Sequence, residues 1–314
     1  MEKKFQIAAE SVRRIRRDVE GQPQTALKEA QTLVGQMVAT LTTEGDVVIH
    51  AMSDKLGDGV YFHSLNVTVL SLMLARVLKL SASDMREIGL GALFHDFGKT
   101  EIPDAILLKT EPLTKPERSF LERHCEYGLA IAKRAGLAKP AQDIVMQHHE
   151  HVDGSGYPGK LVGEQITQLA RLVCVVNTYD NLCNPVNPAA ALTPAEALAQ
   201  MFALNRTMFD AVQFQAFIHC LGVYPPGSVV QLSNEMPGLV LSANPSKPLR
   251  PNVLVYDPDA PRDEMVIVSL GQEPDLRISR SLRPGQLPRE VYRYLNPRLR
   301  VTYYFDLPPP EEAP

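Results

Sequence analysis

Three hundred and fourteen residues exceed one minimal domain and suit about two, since domains commonly run ~100–200 residues. With 45% hydrophobic and 22% charged residues the chain can build a buried core, which excludes wholesale disorder, and no apolar run reaches the ~18 residues that span a bilayer. A net charge of −4 lacks the basic excess of a dedicated nucleic-acid binder, so neither DNA nor a membrane is expected as a partner. An anionic ligand stays open, because a local site can oppose the global charge.

The first residues carry charge but no apolar core, so they do not read as a secretory signal. Residues 1 to about 50 read as helical, on Phe5, Val12 and Ile15, then Leu27, Leu33, Val34, Met37, Val38 and Leu41, broken at Gly21, Gln22 and Pro23. Arg13, Arg14, Arg16 and Arg17 form a basic cluster, read as a solvated face. A helix is predicted from Tyr61 to Leu80, and Ser81 with Asp84 caps the next, Met85 to Phe94. Thr114 and Glu117 have the capping-box spacing and Pro116 suits a first turn, predicting a helix to about Arg134. Further helices are predicted from Pro140 to about His149, from Ile166 to Asn181, and from Pro194 to roughly Gly222.

At Gly222 the texture changes to prolines, glycines and short alternating runs. Strands are predicted at Ser228–Leu232, Gly238–Leu241, Val253–Tyr256 and Met265–Leu270, with a short one at Tyr303 and Tyr304 and a frayed proline-rich end from Pro308. The plan is mainly α. An N-terminal helical segment (1–50) precedes a helical body (51–222) and a small β-rich extension (223–314). Cys125, Cys174, Cys183 and Cys220 lack metal-type pairing and sit among apolar residues, so reduced thiols in a cytoplasmic protein are expected.

The histidines carry the chemistry. His63 precedes Val67 and Leu70 by four and seven positions, His124 follows Phe120 by four, and His148 and His149 follow Ile144 and Val145 by four. His95 and Asp96 end the apolar run from Ile88 to Phe94. Each spacing turns the imidazole inward. One inward histidine is usually a hydrogen-bonded core residue, but five within about ninety residues are costly to bury without purpose. Imidazole and carboxylate together suit zinc, manganese or iron. One catalytic ion commonly takes three protein ligands, and the set here exceeds that, so a dinuclear site with Asp96 as shared ligand is expected. Paired ions ~3.5–4 Å apart activate water and offset charge on a phosphoryl centre. Lys99, three residues past Asp96, can place a cation beside that charge; its alternative is a surface lysine at a helix end. His50, His151 and His219 lack the inward context and are left outside the site.

His95-Asp96-Phe97-Gly98-Lys99, then His148-His149-Glu150, then Asp153-Gly154-Ser155-Gly156-Tyr157-Pro158 together resemble the HD-GYP domain, the branch of the HD phosphohydrolase superfamily associated with cyclic-di-GMP hydrolysis. The resemblance covers about residues 55–222, with His63 and His124 where the family places further ligands, and Gly222-Val223-Tyr224-Pro225-Pro226-Gly227 looks like an extension found after many such domains. It implies an HD-type helical bundle holding two or three ions, often iron or manganese. The substrate it implies is cyclic-di-GMP or a related cyclic dinucleotide, cut to pGpG or GMP. Asp96 and Lys99 would be catalytic, and Lys99 and Tyr157 would contact substrate. The loop from Asp153 to Gly159 reads equally as a turn after a helix or as a flap beside the metals, and in the family it is proposed to touch GGDEF-type partner proteins.

Three positions depart from the family pattern. An aspartate ligand is usual at Asn177, and an amide is the poorer ligand for a hard cation; Asp180, one helical turn on, matches a second family aspartate and is the expected substitute. Members holding three ions carry a glutamate four residues before the first histidine, where this chain has Gly59, so two ions are expected. Val186 stands near where an arginine often helps hold substrate. Two functions follow: a metal-dependent cyclic-di-GMP phosphodiesterase, or a degenerate module that binds dinucleotide or partner with little hydrolysis. A plain HD nucleotide phosphohydrolase is disfavoured, since it needs neither His148-His149-Glu150 nor the loop after them. Regulation by a partner or by homodimerisation stays open.

Overall fold

The computed structural model describes residues 2–43, 47–52, 59–243, 246–258, 260, 266–297 and 300–306, with side chains at all of these except 2, 59–61 and 306. The proline-rich end from Pro308 and residue Met265 lie outside the described residues. Helices α1 (Glu2–Asp18) and α2 (Pro23–Leu41) pack on each other. Phe5, Val12 and Ile15 on the first and Ala30, Leu33, Val34, Met37 and Leu41 on the second are buried, the stripe that a spacing of three and four produces. Pro23 opens α2 where a missing N–H costs nothing.

The helical expectation for the first fifty residues fails at its end, because Val48–Met52 forms strand β1. Val47, Val48 and Ile49 suit a strand, but five residues are too few to set a period, and the partners of β1 come from the far end of the chain.

The body follows with α3 (Gly59–Val77), α4 (Ala82–Phe94), α5 (Asp104–Leu107), α6 (Lys115–Glu122), α7 (His124–Ala135), α8 (Lys139–Gln147), α9 (Gln168–Cys183), α10 (Pro194–Leu204) and α11 (Ala211–Leu221). Leu65, Val67, Val69, Leu70, Leu72, Met73 and Leu74 of α3 are all fully buried. A helix apolar on every side must be central, and α1, α2, α4, α9 and α11 surround it. The predicted caps are present: Ser81 accepts from the Asp84 N–H, and Thr114 and Glu117 close a reciprocal box. Two predicted helices are each split. The stretch from Thr114 to Arg134 breaks at Arg123, which carries no proline or glycine to announce it. The stretch from Pro194 to Gly222 breaks after Leu204, and Asp210 caps the second piece by accepting from the Val212 and Gln213 N–H groups.

Strands β2 (Val229–Leu232), β3 (Pro237–Ala243), β4 (Asn252–Val255), β5 (Val266–Ser269) and β6 (Ile278–Leu282), helix α12 (Arg289–Leu295) and strand β7 (Thr302–Asp306) complete the described elements. All strand pairs are antiparallel, in the order β5-β4-β3-β1-β7, with β2 joining β3 to β6. β1 aligns Ala51 with Tyr303 of β7 and Ile49 with Ala243 of β3, which ties the start of the chain to its end. β6 and α12 were not expected; Ser279, Arg280 and Ser281 are exposed, so β6 shows no apolar alternation. None of the four cysteines forms a disulfide, and all are buried. Among the described residues no helix is long and apolar enough to cross a membrane.

Candidate metal centre

Three of the candidate ligand histidines sit where helices end. His95 is the C-cap of α4, His148 the C-cap of α8, and His124 follows the last turn of α6. Carbonyls in a last turn lack intrahelical partners, and each histidine uses one. Nδ1 of His95 donates to the Ala92 carbonyl at 2.6 Å, that of His124 to Leu121 at 2.7 Å, and that of His148 to Val145 at 2.8 Å. A carbonyl can only accept, so all three rings carry their proton on Nδ1 and turn the Nε2 lone pair inward. The break at Arg123 thus has a purpose, since in a continuous helix the Leu121 carbonyl would be taken by the Cys125 N–H.

The Nε2 atoms converge on Asp96. His63 and His95 lie 3.3 and 3.4 Å from its Oδ2, and His124 and His148 lie 3.4 and 3.7 Å from its Oδ1. One carboxylate therefore separates two ligand groups, one of His63, His95 and Asp96, the other of Asp96, His124, His148 and His149, each with ligand atoms within 4.8 Å of one another. Lys99 Nζ sits 2.5 Å from Oδ2. The short turn Phe97–Glu101 that carries it presses on α7 at Gly98, where a Cβ would fall 2.0 Å from the His124 carbonyl oxygen. Glycine is needed there for that approach alone.

Protonation follows from burial. His95 is pushed down to about 4 and His124 to about 3 by burial, and His149 well below its usual value by burial and then by His148 and His124. Burial opposes ionisation of Asp96, but His95 and Lys99 outweigh it and hold the carboxyl well below its usual range. His63 differs: burial lowers it, yet hydrogen bonds to Asp180 and Asp96 prevail and raise it to about 9. Its Nε2 lies 3.1 Å from that of His95, so this pair can share one proton. The Nε2 atoms of His124 and His148 stand 3.2 Å apart, each ring held through Nδ1 on a main-chain carbonyl, and Asp96 Oδ1 beside them is buried without a hydrogen-bond partner. Facing lone pairs and a stranded anionic oxygen fit a cation. The cluster could hold metal ions.

The surrounding shell fixes this arrangement. His149 stacks on Tyr157, ring centres 4.5 Å apart at 21°, and Tyr157 lies edge-on to His124. The loop carrying Tyr157 is held by buried Glu150, which accepts from the Gly159 and Leu161 N–H groups. A Cβ on Gly156 would fall 2.4 Å from the His149 carbonyl oxygen and 2.4 Å from the His151 nitrogen, so the loop packs tightly against the backbone that follows His148. Asp180 Oδ2 accepts from His63 Nδ1 at 2.6 Å, which places it behind the ring and outside both ligand groups. Asn177 is buried, and its Oδ1 accepts from Asn181 at 3.0 Å. Val186 is exposed. Sequence reasoning passed over Glu150 as a support, Cys125, whose buried Sγ lies 3.6 Å from His124 Nε2, and Asn66 and Asn184 around Asp180. For the asparagines a signal existed in their spacing, three after His63 and four after Asp180.

The fold and this centre define an HD domain. The HD domain family matches residues 25–212, more than half of the chain, and the chain belongs to it, as the His95-Asp96 motif and its successors led one to expect. Among curated proteins it is similar to the cyclic di-GMP phosphodiesterase PA4108 of Pseudomonas aeruginosa, 34% identical over 229 residues, 72% of this chain and 55% of that one. It is also similar to the cyclic di-GMP phosphodiesterase response regulator RpfG of Xanthomonas campestris, 38% identical over 140 residues, 44% of this chain and 37% of that one. The chain thus spans about half or less of the length of these relatives. Among solved structures, Bd1817, an HDG"Y"P protein from Bdellovibrio bacteriovorus, shares the fold with a TM-score of 0.51 over 67% of each chain at 19% identity.

Proposed function

We propose that this chain is a metal-dependent phosphodiesterase that hydrolyses a cyclic dinucleotide, cyclic-di-GMP foremost, to pGpG, to GMP, or to one after the other. The observation that supports it most is the single carboxylate of Asp96 set between two imidazole groups, with Oδ1 stranded beside His124 and His148. In this reading His63, His95 and Asp96 would hold one divalent ion and Asp96, His124, His148 and His149 a second, with iron or manganese as the metals. Bound there, such ions supply Lewis acidity toward phosphoryl oxygens and a more acidic water. Lys99 adds a fixed positive charge on the Asp96 Oδ2 side, where a phosphate oxygen gaining charge would be stabilised. Tyr157, flanking His149 on the loop that Glu150 holds, is the proposed substrate contact. Exposed Asp153, Ser155 and Gly159 on that loop are the proposed surface for GGDEF-type partners. Residues 51–222 form the proposed catalytic unit, in a cytoplasmic signalling role.

The second reading is a module that binds dinucleotide with little hydrolysis. Asn177 favours it, because a neutral amide engaged with Asn181 adds no charge to the centre. Anaerobic purification with Fe(II) or Mn(II), metal quantification and an assay for linear product from cyclic-di-GMP decide between the two. Product formation supports the enzyme, bound metal with dinucleotide binding but no product moves the conclusion to the module, and neither metal nor product overturns both.

A further inference from the structure

The segment leading into β7 lies more than two hundred residues from His63 in the chain, yet one hydrogen-bond network joins them. Asn66, on α3, donates from Nδ2 to Asp180 Oδ1 at 2.8 Å and to the Val301 carbonyl at 2.9 Å, while its Oδ1 accepts from the Tyr303 N–H at 2.9 Å. Asn184, the C-cap of α9, repeats the pattern: Nδ2 donates to Asp180 Oδ1 at 3.0 Å and to the Val301 carbonyl at 2.9 Å, and Oδ1 accepts from the Val301 N–H at 2.9 Å. Both amides have every donor in use. Asp180 Oδ2 is thereby left for His63 Nδ1.

We propose that Asn66 and Asn184 are positioning residues that clamp Val301 and Tyr303 to the Asp180 carboxylate, so that the seat of His63 in the metal centre depends on the docking of β7. The logic is that of a buried network in which each member is satisfied only if all are. Lifting β7 away strips one acceptor and one main-chain donor from each amide. They then reorient, Asp180 loses its two amide donors, and the His63 ring loses its fixed partner. Outer-shell partners of ligand histidines of this kind are commonly worth ~10–100-fold in metal affinity. The coupling is reciprocal: a cation held by His63 tightens the β7 docking. Because β7 pairs with β1, and β1 with β3, an event on the C-terminal sheet has a direct route to the ligand. Tyr179 and Tyr303, hydroxyl to hydroxyl at 2.7 Å, reinforce the same seam.

The metal arm of this inference rests on the proposed metal centre; the docking arm does not. Asn184→Ala is the variant of choice, since Asn184 is only partly buried. With Mn(II) as probe in equilibrium dialysis, it is expected to weaken one of two equivalents at least ~10-fold and to leave the other within about twofold, with amide exchange at Val301 and Tyr303 accelerated. A merely structural role would weaken both equivalents together with the melting temperature; that result, or wild-type affinity for both, overturns the proposal. Wild-type protein that takes up no Mn(II) would sink the metal reading instead. In that case His63→Ala in metal-free protein decides the clamp: faster exchange at Val301 and Tyr303 upholds it, and unchanged exchange overturns it.

Discussion

Gly98→Ala is expected to disrupt the centre from beneath, without touching a ligand. A Cβ at Gly98 would lie 2.0 Å from the His124 carbonyl oxygen, 2.3 Å from the Gly128 nitrogen and 2.9 Å from the Gly128 Cα. All three are backbone atoms of α7, so no side chain can swing aside. Ordinary contact between carbons lies near ~3.5–4.0 Å, so the Asp96–Lys99 turn and α7 must part by more than ~1 Å. Overpacking of this kind costs about 1–3 kcal/mol, and backbone meeting backbone puts it at the upper end. At roughly 2–4 °C per kcal/mol for a domain of this class, the melting temperature should fall by about 6 °C or more. The same separation draws Asp96 from His124, so Mn(II) affinity should drop at least ~10-fold, as for other lost supports of a metal site. Gly35→Ala is the control. Nothing lies within 4 Å of its Cβ on α2, and alanine in a helix should stabilise by about 0.5–1 kcal/mol. Circular-dichroism melts and Mn(II) dialysis of both variants supply the measurement. A Gly98→Ala protein that melts with the wild type and binds Mn(II) equally would refute the argument.

Glu150→Gln replaces one of two carboxylate acceptors by an amide N–H facing a buried main-chain donor, at a cost of about 1–3 kcal/mol. Amide exchange at Gly159 and Leu161 should rise about tenfold or more while α3 stays protected; unchanged exchange would show that the loop holds itself. Glu117 is held down to about 2 by its hydrogen bonds to Lys109 and then to Thr114. A depressed carboxyl pKa contributes stability above its unfolded value near 4.5, lost as pH falls toward 2. The start of α6 should therefore fray across that window, followed by exchange at the Glu117 amide, and Lys109→Met should bring the fraying in at higher pH.

How far the sequence revealed the molecule depends on the range of each cause. Caps at Ser81, Thr114 and Asp210 are local chemistry, and the first two were legible because an acidic residue, Asp84 or Glu117, stands three positions after the hydroxyl. Helical spacing made His63, His148 and His149 legible, and the end of an apolar run His95; for His124 the spacing from Phe120 crossed a helix break, and Phe120 is only partly buried. None of this showed the carbonyls at Ala92, Leu121 and Val145 that fix the tautomers. The break at Arg123 was not legible: no residue there disfavours a helix, and the gain comes from His124 reaching Asp96, a tertiary contact. β1 was missed for a similar reason, its stability arising from pairing with β3 and β7. Asp180 was expected as a substitute ligand for Asn177, and its place behind His63, on Nδ1, was not legible, because its Asn66 and Val301 neighbours are brought in only by the fold.

The central claim is that Asp96 is shared by two cations. Its most direct test is metal content per chain, by mass spectrometry of anaerobically prepared protein loaded with Mn(II), in wild type, His124→Ala and Asp96→Asn. The wild type should carry about two ions per chain, His124→Ala about one and Asp96→Asn fewer than one. A wild type limited to one ion, or an Asp96→Asn protein that keeps both, would contradict it.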